Sequence, residues 1–305
     1  MKNKKDLCGI IPAMMTIFDE NENIDKKRTF DFIDFLIDSK VNGLYITGST
    51  GEGFLMTDGE RKQVAEMVIK YVDNRVPVIV HVGSIGTKKT IEIANHAKSI
   101  GCDYISSVPP FYWKFSNEDI INYYKDINDA VDIPMIVYNI ANAGTMNTKL
   151  IKELSKLKNV IGVKYTLQSE YEICELKDDI EDFMVFSGCD ELGLAGLYNG
   201  ADGLIGSFYN LMPELYVNLY NAYRKGDFES AIKLQLDAAR IIRLSVKYDY
   251  YSVMRLGLKW MGVDAGYSRR PFTNYSGAQE DSLKKEFVKL RDKYNITQAK
   301  FLKSI

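Results

Sequence analysis

The chain has 305 residues, of which 46% are hydrophobic and 26% are charged, with 39 basic and 41 acidic side chains. These proportions are typical of a soluble globular protein. The net charge of −2 leaves no polybasic segment to hold a phosphate backbone, so nucleic acid is not a predicted partner. Length alone permits two ordinary domains or one alternating α/β barrel of about 250 residues.

The N-terminus resembles an export signal only superficially. Three lysines precede an uncharged stretch at residues 7–18, but Pro12 interrupts it and no small-x-small cleavage site follows. The longest stretch without a charged residue, 133–148, has sixteen residues, and a membrane span needs about 20 mostly apolar ones. We therefore predict neither a signal peptide nor a transmembrane helix.

The cysteines and histidines exclude further types of functional site. The four cysteines share no CxxC spacing and are too sparse for a disulfide framework, so we expect a reducing, cytoplasmic location. The two histidines, His81 and His96, exclude an HExxH zinc site. His81 lies in an apolar strand-like run and His96 in the middle of a predicted helix, which favours structural roles for both.

Short apolar runs rich in β-branched residues recur at intervals of roughly 25 to 30 residues, each followed by a stretch with helical periodicity. Eight such units predict a (β/α)8 barrel, because near-continuous apolar strands indicate a parallel sheet covered on both faces. The predicted strands are Gly9–Met15, Gly43–Thr47, Val76–Val82, Tyr104–Val108, Met135–Tyr138, Val160–Lys164, Met184–Ser187 and Gly203–Ile205.

Local signals support this arrangement. Thr57 and Glu60 have the spacing of a capping box, and Val64, Met67, Val68 and Tyr71 form the expected buried stripe of the helix that follows. No strand is followed by a GxGxxG turn, and the glycines of residues 83–90 lack the GxxxxGK[ST] spacing, which excludes a nucleotide-binding sheet.

The eight units end near Gly226, so we assign residues 1–226 to the barrel and 227–305 to a C-terminal helical extension. Residues 282–294 predict one helix of this extension. A second helix carries an apolar stripe at steps of three and four, which we expect to pack against the barrel. The stripe consists of Phe228, Ile232, Leu236, Ala239, Ile242 and Val246.

Active sites of such barrels lie at the carboxyl ends of the strands. Among the polar residues there, Lys164 is the most informative, because an unpaired ammonium inside a barrel is costly to bury. Burial favours the free amine, which can attack a ketone and form a Schiff base. The alternatives are a lysine that reaches solvent at the rim, or one paired with a carboxylate from a neighbouring strand.

Other strand ends supply candidate partners. Tyr138 could relay protons beside Lys164, or it could be an ordinary core tyrosine. The turn Gly48–Gly51 offers hydroxyls and backbone amides for a carboxylate. Asp190 and Glu191 could bind substrate hydroxyls, although Asp190 could equally cap the next helix.

Taken in order, these segments resemble the dihydrodipicolinate synthase and N-acetylneuraminate lyase family of pyruvate-dependent class I aldolases. The resemblance covers nearly the whole chain. Its landmarks are GSTGE at Gly48–Glu52, PFY at Pro110–Tyr112, YNI at Tyr138–Ile140, GVK at Gly162–Lys164 and GLIGS at Gly203–Ser207.

The resemblance implies a homotetramer without a metal or organic cofactor, in which Lys164 forms the Schiff base. Ser49 and Thr50 would hold the pyruvate carboxylate. Tyr138 would be the proton relay, linked through Thr50 to Tyr112, which in this family commonly reaches into a neighbouring subunit's site. The further substrate-binding residues that the resemblance implies are Thr166, Gly188, Asp190, Glu191 and Ser207, of which the last three would bind the sugar hydroxyls.

Within the family, the lyase branch resembles this chain more closely than the synthase branch. Ser49 stands where synthases usually have Thr, and residues 140–144 lack the Arg that synthases carry after the Tyr-Asn pair. The same segment lacks the lyases' Pro after Ile140 and is one residue shorter, and Cys189 replaces an aromatic residue. An aldolase for a 2-keto-3-deoxy sugar acid, a dihydrodipicolinate synthase and a non-catalytic pyruvate-binding protein stay as alternatives.

Overall fold

The computed structural model describes residues 7–305, which form a parallel eight-stranded barrel surrounded by helices. The N-terminal lysines considered above lie in residues 1–6, outside the described residues. The strands are β1 (Gly9–Pro12), β2 (Leu44–Ile46), β3 (Val78–His81), β4 (Tyr104–Ser107), β5 (Met135–Ile140), β6 (Val160–Thr166), β7 (Met184–Ser187) and β8 (Gly203–Gly206).

Each strand is followed by one helix of the outer ring. These helices are α1 (Lys26–Asp38), α2 (Asp58–Val72), α3 (Thr87–Ser99), α4 (Asn117–Ala130), α5 (Thr148–Leu154), α6 (Tyr171–Asp179), α7 (Gly193–Tyr198) and α8 (Pro213–Arg224). Four further helices follow, α9 (Phe228–Ser245), α10 (Tyr250–Trp260), α11 (Ala278–Tyr294) and α12 (Lys300–Lys303). None of the helices in residues 7–305 is long and apolar enough to cross a bilayer.

The strands pair in the order β1-β8-β7-β6-β5-β4-β3-β2, all in parallel. A bridge between Ala13 and Tyr45 brings β1 beside β2 and closes the barrel. Side chains alternate across the strands, so Ile79, Ile136 and Phe186 fill the interior while their neighbours pack against the helices. The predicted (β/α)8 fold is confirmed.

All eight predicted strands are present, but some of their ends differ. β1 ends at Pro12 rather than Met15, whereas β5 and β6 extend two residues further than predicted. The extension arises because Asn139 and Ile140 continue the ladder opposite Tyr165 and Thr166. The Thr57–Glu60 capping box is present, with the Thr57 side chain accepting from the Glu60 amide and the Glu60 carboxylate accepting from that of Thr57.

The predicted orientation of α9 is wrong. Phe228, Ile232, Leu236 and Val246 are about half exposed, while Ile242 alone of the predicted stripe is buried. The helix instead buries a neighbouring face that contains small residues, which allow close approach to the ring helices. Its buried apolar residues are Ala231, Leu234, Ala238, Ile241, Ile242 and Leu244.

Candidate active site

Lys164 lies inside the barrel near the carboxyl end of β6. Its side chain is 4% exposed, and its Nζ lies 4.2 Å from the ring centroid of Tyr138 and 4.9 Å from that of Tyr45. Within residues 7–305 the ammonium makes no ion pair. Both alternative explanations of this lysine are therefore removed, since it is neither at the solvent-exposed rim nor paired with a carboxylate. A buried, unpaired amine is suited to nucleophilic attack on a carbonyl.

Tyr138 stands next to Lys164 because the two residues are Cα partners on β5 and β6. Both side chains point into the barrel, and Tyr138 is 3% exposed. Its ring also packs edge-on against Tyr45 at a centroid distance of 6.1 Å. The residue thus belongs to the barrel core and lies beside the candidate nucleophile.

The loop Gly48–Glu52 follows β2 and depends on two glycines. A Cβ on Gly48 would lie 2.6 Å from the Tyr45 ring, and one on Gly51 would lie 3.0 Å from the Met14 carbonyl oxygen. The tight path buries Thr50, whose Oγ1 is 2.7 Å from the Ser207 hydroxyl at the end of β8. A hydrogen bond therefore joins the loop after β2 to the end of β8, although the two residues are 157 positions apart in the sequence.

Four of the predicted substrate-binding residues line one cavity of about 390 Å³, namely Gly188, Asp190, Glu191 and Ser207. Its outer wall comes from α9 and the start of α10, which sequence reasoning missed. These outer residues include Ile242, Arg243, Val246 and Tyr250. Their helical spacing gave no sign of a role in a site, because only the packing of the extension brings them over the barrel mouth.

Position 188 has no room for a side chain, because two neighbouring residues lie too close to it. A Cβ at this position would lie 1.9 Å from the Thr166 Oγ1 and 3.2 Å from the Lys164 Cε. The Thr166 hydroxyl has no hydrogen-bond partner within residues 7–305. The missing side chain thus leaves the unpaired Thr166 hydroxyl and the Lys164 side chain both next to Gly188.

Asp190 is buried and uses one carboxylate oxygen structurally. Its Oδ2 accepts from the Phe208 amide at 2.7 Å, while its Oδ1 has no partner in the described part of the chain. Burial raises the pKa of Asp190 to about 7. The carboxylate therefore caps the turn Phe208–Asn210 after β8, and not the turn that Asp190 itself begins. The unpaired Oδ1 atom is itself buried.

The segments that depart from the family pattern are ordered. Residues Ala141–Ala143 form a 3₁₀ turn, and the Asn139 side chain bonds both the amide and the carbonyl of Met146, which folds this loop back onto β5. The buried Cys189 thiol donates to the Leu167 carbonyl at 3.4 Å, and burial raises the pKa of Cys189 to about 12. Cys189 therefore acts as a small apolar wall residue rather than a nucleophile.

Tyr112 lies outside the barrel interior. Its side chain is 83% exposed, its backbone has a φ of 85°, and its ring packs edge-on against Trp113 at 4.9 Å. Within the single chain, Thr50 contacts Ser207 and not Tyr112. The link from Thr50 to Tyr112 stays a prediction that concerns two chains.

His81 has a structural environment, as its strand position predicts. The ring is fully buried, its Nε2 accepts from the Val108 amide at 3.3 Å, and its carbonyl accepts from Arg61 at 2.8 Å. Burial lowers the pKa of His81 well below its ordinary value, so the imidazole is neutral. No group of three His, Cys, Asp or Glu side chains within residues 7–305 is arranged to hold a metal ion.

Glu170, just before α6, is a buried carboxyl that sequence reasoning missed. It is 9% exposed, and neither of its oxygens has a hydrogen-bond partner in the described residues. Burial raises the pKa of Glu170 to about 7, although the nearby Ser187 hydroxyl opposes the rise. Because the ordinary value is 4.5, the folded protein loses stability as the pH rises from about 4.5 to about 7.

We therefore expect Glu170→Gln to stabilise the protein at alkaline pH. Glutamine cannot ionise, so the variant should gain about 1–2 kcal/mol in the free energy of unfolding at about pH 8.5, after allowance for partial solvent screening. At about pH 4 the two proteins should be nearly equal. Urea denaturation at both pH values measures this, with the exposed Glu181→Gln as control. Equal stability of wild type and Glu170→Gln at alkaline pH would show that Glu170 ionises without cost.

A parallel barrel with a buried lysine and a polar cavity at the carboxyl ends of its strands has the architecture of a class I aldolase. Residues 6–290 match the model of the dihydrodipicolinate synthetase family. The chain is 34% identical over 279 residues to an N-acetylneuraminate lyase of Rhizobium meliloti, an alignment that covers 91% of this chain and 93% of the relative.

Solved structures agree with the sequence match. An N-acetylneuraminate lyase from Mycoplasma synoviae superimposes with a TM-score of 0.87 at 32% identity, covering 96% of this chain and 99% of the other. A catalytic lysine mutant of the Ruminococcus gnavus sialic acid aldolase gives a TM-score of 0.90 at 30% identity, covering 97% and 99%. The chain belongs to the dihydrodipicolinate synthetase family, and the predicted enzyme class, an aldolase-type carbon–carbon lyase, is confirmed.

Proposed function

We propose that this chain is an N-acetylneuraminate lyase that cleaves its substrate to N-acetylmannosamine and pyruvate. The observation that carries the proposal is the position of Lys164, buried and without an ion pair beside Tyr138. The adjacent cavity is lined by Asp190, Glu191 and Ser207, whose side chains contain several hydrogen-bond acceptors. The names of the R. meliloti and M. synoviae relatives support the same activity.

In the proposed reaction, the Lys164 amine attacks the C2 ketone of the open-chain sugar acid and releases water to form an imine. The protonated imine withdraws electrons, so the C3–C4 bond can break while Tyr138 takes the proton of the C4 hydroxyl. N-acetylmannosamine leaves as the aldehyde. Protonation of the remaining enamine at C3, followed by addition of water, releases pyruvate and restores the free lysine.

Two sets of residues bind different parts of the substrate. Ser49 and Thr50 hold the carboxylate next to the ketone, using hydroxyls and the backbone amides of the glycine-rich turn. Asp190, Glu191 and Ser207 hold hydroxyls of the sugar, since a carboxylate accepts several hydrogen bonds at once. Thr166 and Gly188 contact the substrate beside Lys164, because a Cβ on Gly188 would lie close to both the Thr166 Oγ1 and the Lys164 Cε.

The second candidate is an aldolase for a 2-keto-3-deoxy sugar acid. It is favoured by the residues that border the aldehyde side, because the turn Ala141–Ala143 and Cys189 differ from the lyase pattern. A dihydrodipicolinate synthase is less well supported, since no Arg follows Tyr138 and Asn139 in residues 140–144.

A pyruvate-release assay separates the candidates. N-acetylneuraminate and a panel of 2-keto-3-deoxy sugar acids are offered at equal concentration, and pyruvate is measured with lactate dehydrogenase. We expect the highest kcat/KM with N-acetylneuraminate. Efficient release from another acid without turnover of N-acetylneuraminate would transfer the assignment to the second candidate. Pyruvate binding without turnover or imine formation would favour a binding protein.

We propose that the chain assembles as a homotetramer. Dihedral tetramers use two different surfaces that each pair with themselves, and large apolar residues are exposed in two parts of the fold. The loops after β2, β3 and β4 expose Phe54, Leu55, Ile85, Tyr112 and Trp113. The helices α6, α7 and α9 expose Tyr171, Tyr198, Phe228, Ile232 and Leu236.

This assembly predicts the effect of charges on α9. Ile232→Glu combined with Leu236→Glu should reduce the mass in solution from that of a tetramer to that of a dimer, because burying the two carboxylates would cost several kcal/mol. Light scattering after size exclusion measures it, with the exposed neighbour Lys233→Glu as control. A monomeric wild type, or a double variant that keeps the tetramer mass, would contradict this prediction.

We infer a cytoplasmic location. Cys8, Cys102, Cys174 and Cys189 are all free thiols in the structure, which suits a reducing compartment. Cell fractionation with an antibody to the protein tests this inference, and recovery from the culture medium would contradict it.

A further inference from the structure

A buried ion pair joins the loop after β2 to the C-terminal extension. The Oε1 of Glu52 lies 2.7 Å from a guanidinium nitrogen of Arg255 on α10, and both side chains are buried. The other carboxylate oxygen accepts from the Arg269 amide at 2.7 Å. Glu52 has a left-handed backbone with a φ of 55°, which the surrounding contacts must hold in place.

A second contact from α10 reaches the same loop three residues earlier. The Tyr251 hydroxyl donates to the Ser49 carbonyl at 2.9 Å. Thr50, whose hydroxyl meets Ser207, thus lies between two anchored positions. One helix, more than 200 residues away in sequence, holds both sides of the candidate carboxylate-binding residues.

Further hydrogen bonds connect the loop to the segment that follows β1. Arg255 also donates to the Thr16 carbonyl at 3.1 Å, and the Thr16 hydroxyl donates to the Gly51 carbonyl at 2.6 Å. Gly48 and Gly51 give the loop a flexible backbone, so its conformation depends on contacts from outside it. A buried ion pair contributes little net stability, whereas a misplacement of about 1 Å in a binding group can cost 100-fold in rate.

We propose that Tyr251 and Arg255 are positioning residues, which fix the Gly48–Glu52 loop so that Ser49 and Thr50 can hold the carboxylate of the 2-keto acid. The proposal rests on the function proposed above and adds the extension to the active site. In this role both residues act through the loop and not through a hydrogen bond to the substrate. Their effect is specific to the carboxylate, because they act on the loop that binds it and not on Lys164.

The test compares two ketones, one with a free carboxylate and one in which the carboxylate is a neutral methyl ester. Wild type and Tyr251→Phe are incubated with pyruvate or with methyl pyruvate, reduced with borohydride, and the adduct on Lys164 is measured by mass spectrometry across a concentration series. We expect half-saturation by pyruvate to rise about five- to tenfold in the variant, the effect of one lost hydrogen bond. Half-saturation by methyl pyruvate should not change.

The control is Tyr275→Phe. It removes a hydroxyl of the same extension that accepts from the Asp249 amide at 3.0 Å, away from the loop. This control should bind both ketones like wild type. Equal pyruvate saturation in Tyr251→Phe and wild type would overturn the proposal. An equal loss with both ketones would also overturn it, since that result indicates a general structural role.

Arg255 is tested by rescue. Arg255→Met should weaken pyruvate binding more than Tyr251→Phe does. Arg255→Lys should recover part of this loss by restoring a positive charge opposite Glu52. If Arg255→Met does not fold, the Arg255→Lys and Tyr251→Phe results still decide. A wild-type protein that forms no adduct with either ketone would overturn the proposed function and this inference together. An adduct that forms normally in every variant would overturn the inference alone.

Discussion

Lys164→Met is expected to abolish both the pyruvate adduct and the cleavage of N-acetylneuraminate. Methionine keeps the length and apolar stem of the buried side chain but has no amine, so the imine cannot form. We expect kcat/KM to fall by about four orders of magnitude or more, the scale seen when a covalent nucleophile is removed. Borohydride trapping with pyruvate and the coupled pyruvate assay measure the two losses.

The matched control is Lys158→Met, which changes the lysine just before the opposite end of β6. Lys158 is exposed and pairs with Asp132 at 3.0 Å, so this change should leave activity and adduct formation at wild-type levels. Circular dichroism checks that both variants fold. A trapped adduct on another lysine of Lys164→Met would show that the nucleophile has been assigned to the wrong residue.

Tyr138→Phe is expected to slow turnover without preventing the imine. Loss of a positioned acid–base group lowers kcat by about 100- to 10,000-fold. The Lys164 amine is still present, so the adduct with pyruvate should form on long incubation, although more slowly. The rate of adduct formation and the steady-state kcat, measured on the same preparation, separate a missing relay from a missing nucleophile.

Tyr165→Phe is the control for this prediction. Tyr165 follows Lys164 directly but faces the helices, and its buried hydroxyl has no partner in the described residues. Its removal should leave the activity unchanged and should not lower the stability, because an unpaired buried hydroxyl costs free energy. If Tyr138→Phe also kept wild-type kcat, the proton transfer would have to be assigned to another group.

The architecture could be predicted because its signals are local and repeated. Each strand is a short apolar run followed by a helical pattern, and eight repeats admit few arrangements other than a barrel. Lys164 could be selected for the same reason, since a cation ending an apolar run on a barrel strand requires an explanation. Active sites of this fold lie at the carboxyl ends of the strands, so the same rule located both the residue and its surroundings.

The orientation of α9 was not predictable from its sequence. The helix carries apolar residues on two faces, and the periodicity of Phe228, Ile232 and Leu236 is as regular as that of the buried face. The helix buries the side with Ala231 and Ala238 because small side chains allow the closest packing with the ring. Periodicity identifies a helix. Which of two apolar faces is buried depends on the surface against which the helix packs.

The sequence by itself therefore determined the barrel, the order of its strands and the candidate nucleophile, because each depends on contacts between neighbouring residues or on a repeated pattern. Only the tertiary structure decided that Thr50 meets Ser207, that Asp190 caps the turn after β8, and that Tyr251 and Arg255 bond the Gly48–Glu52 loop. These contacts join residues that are distant in the chain. No local sequence pattern specifies which distant side chains come into contact when the barrel is closed.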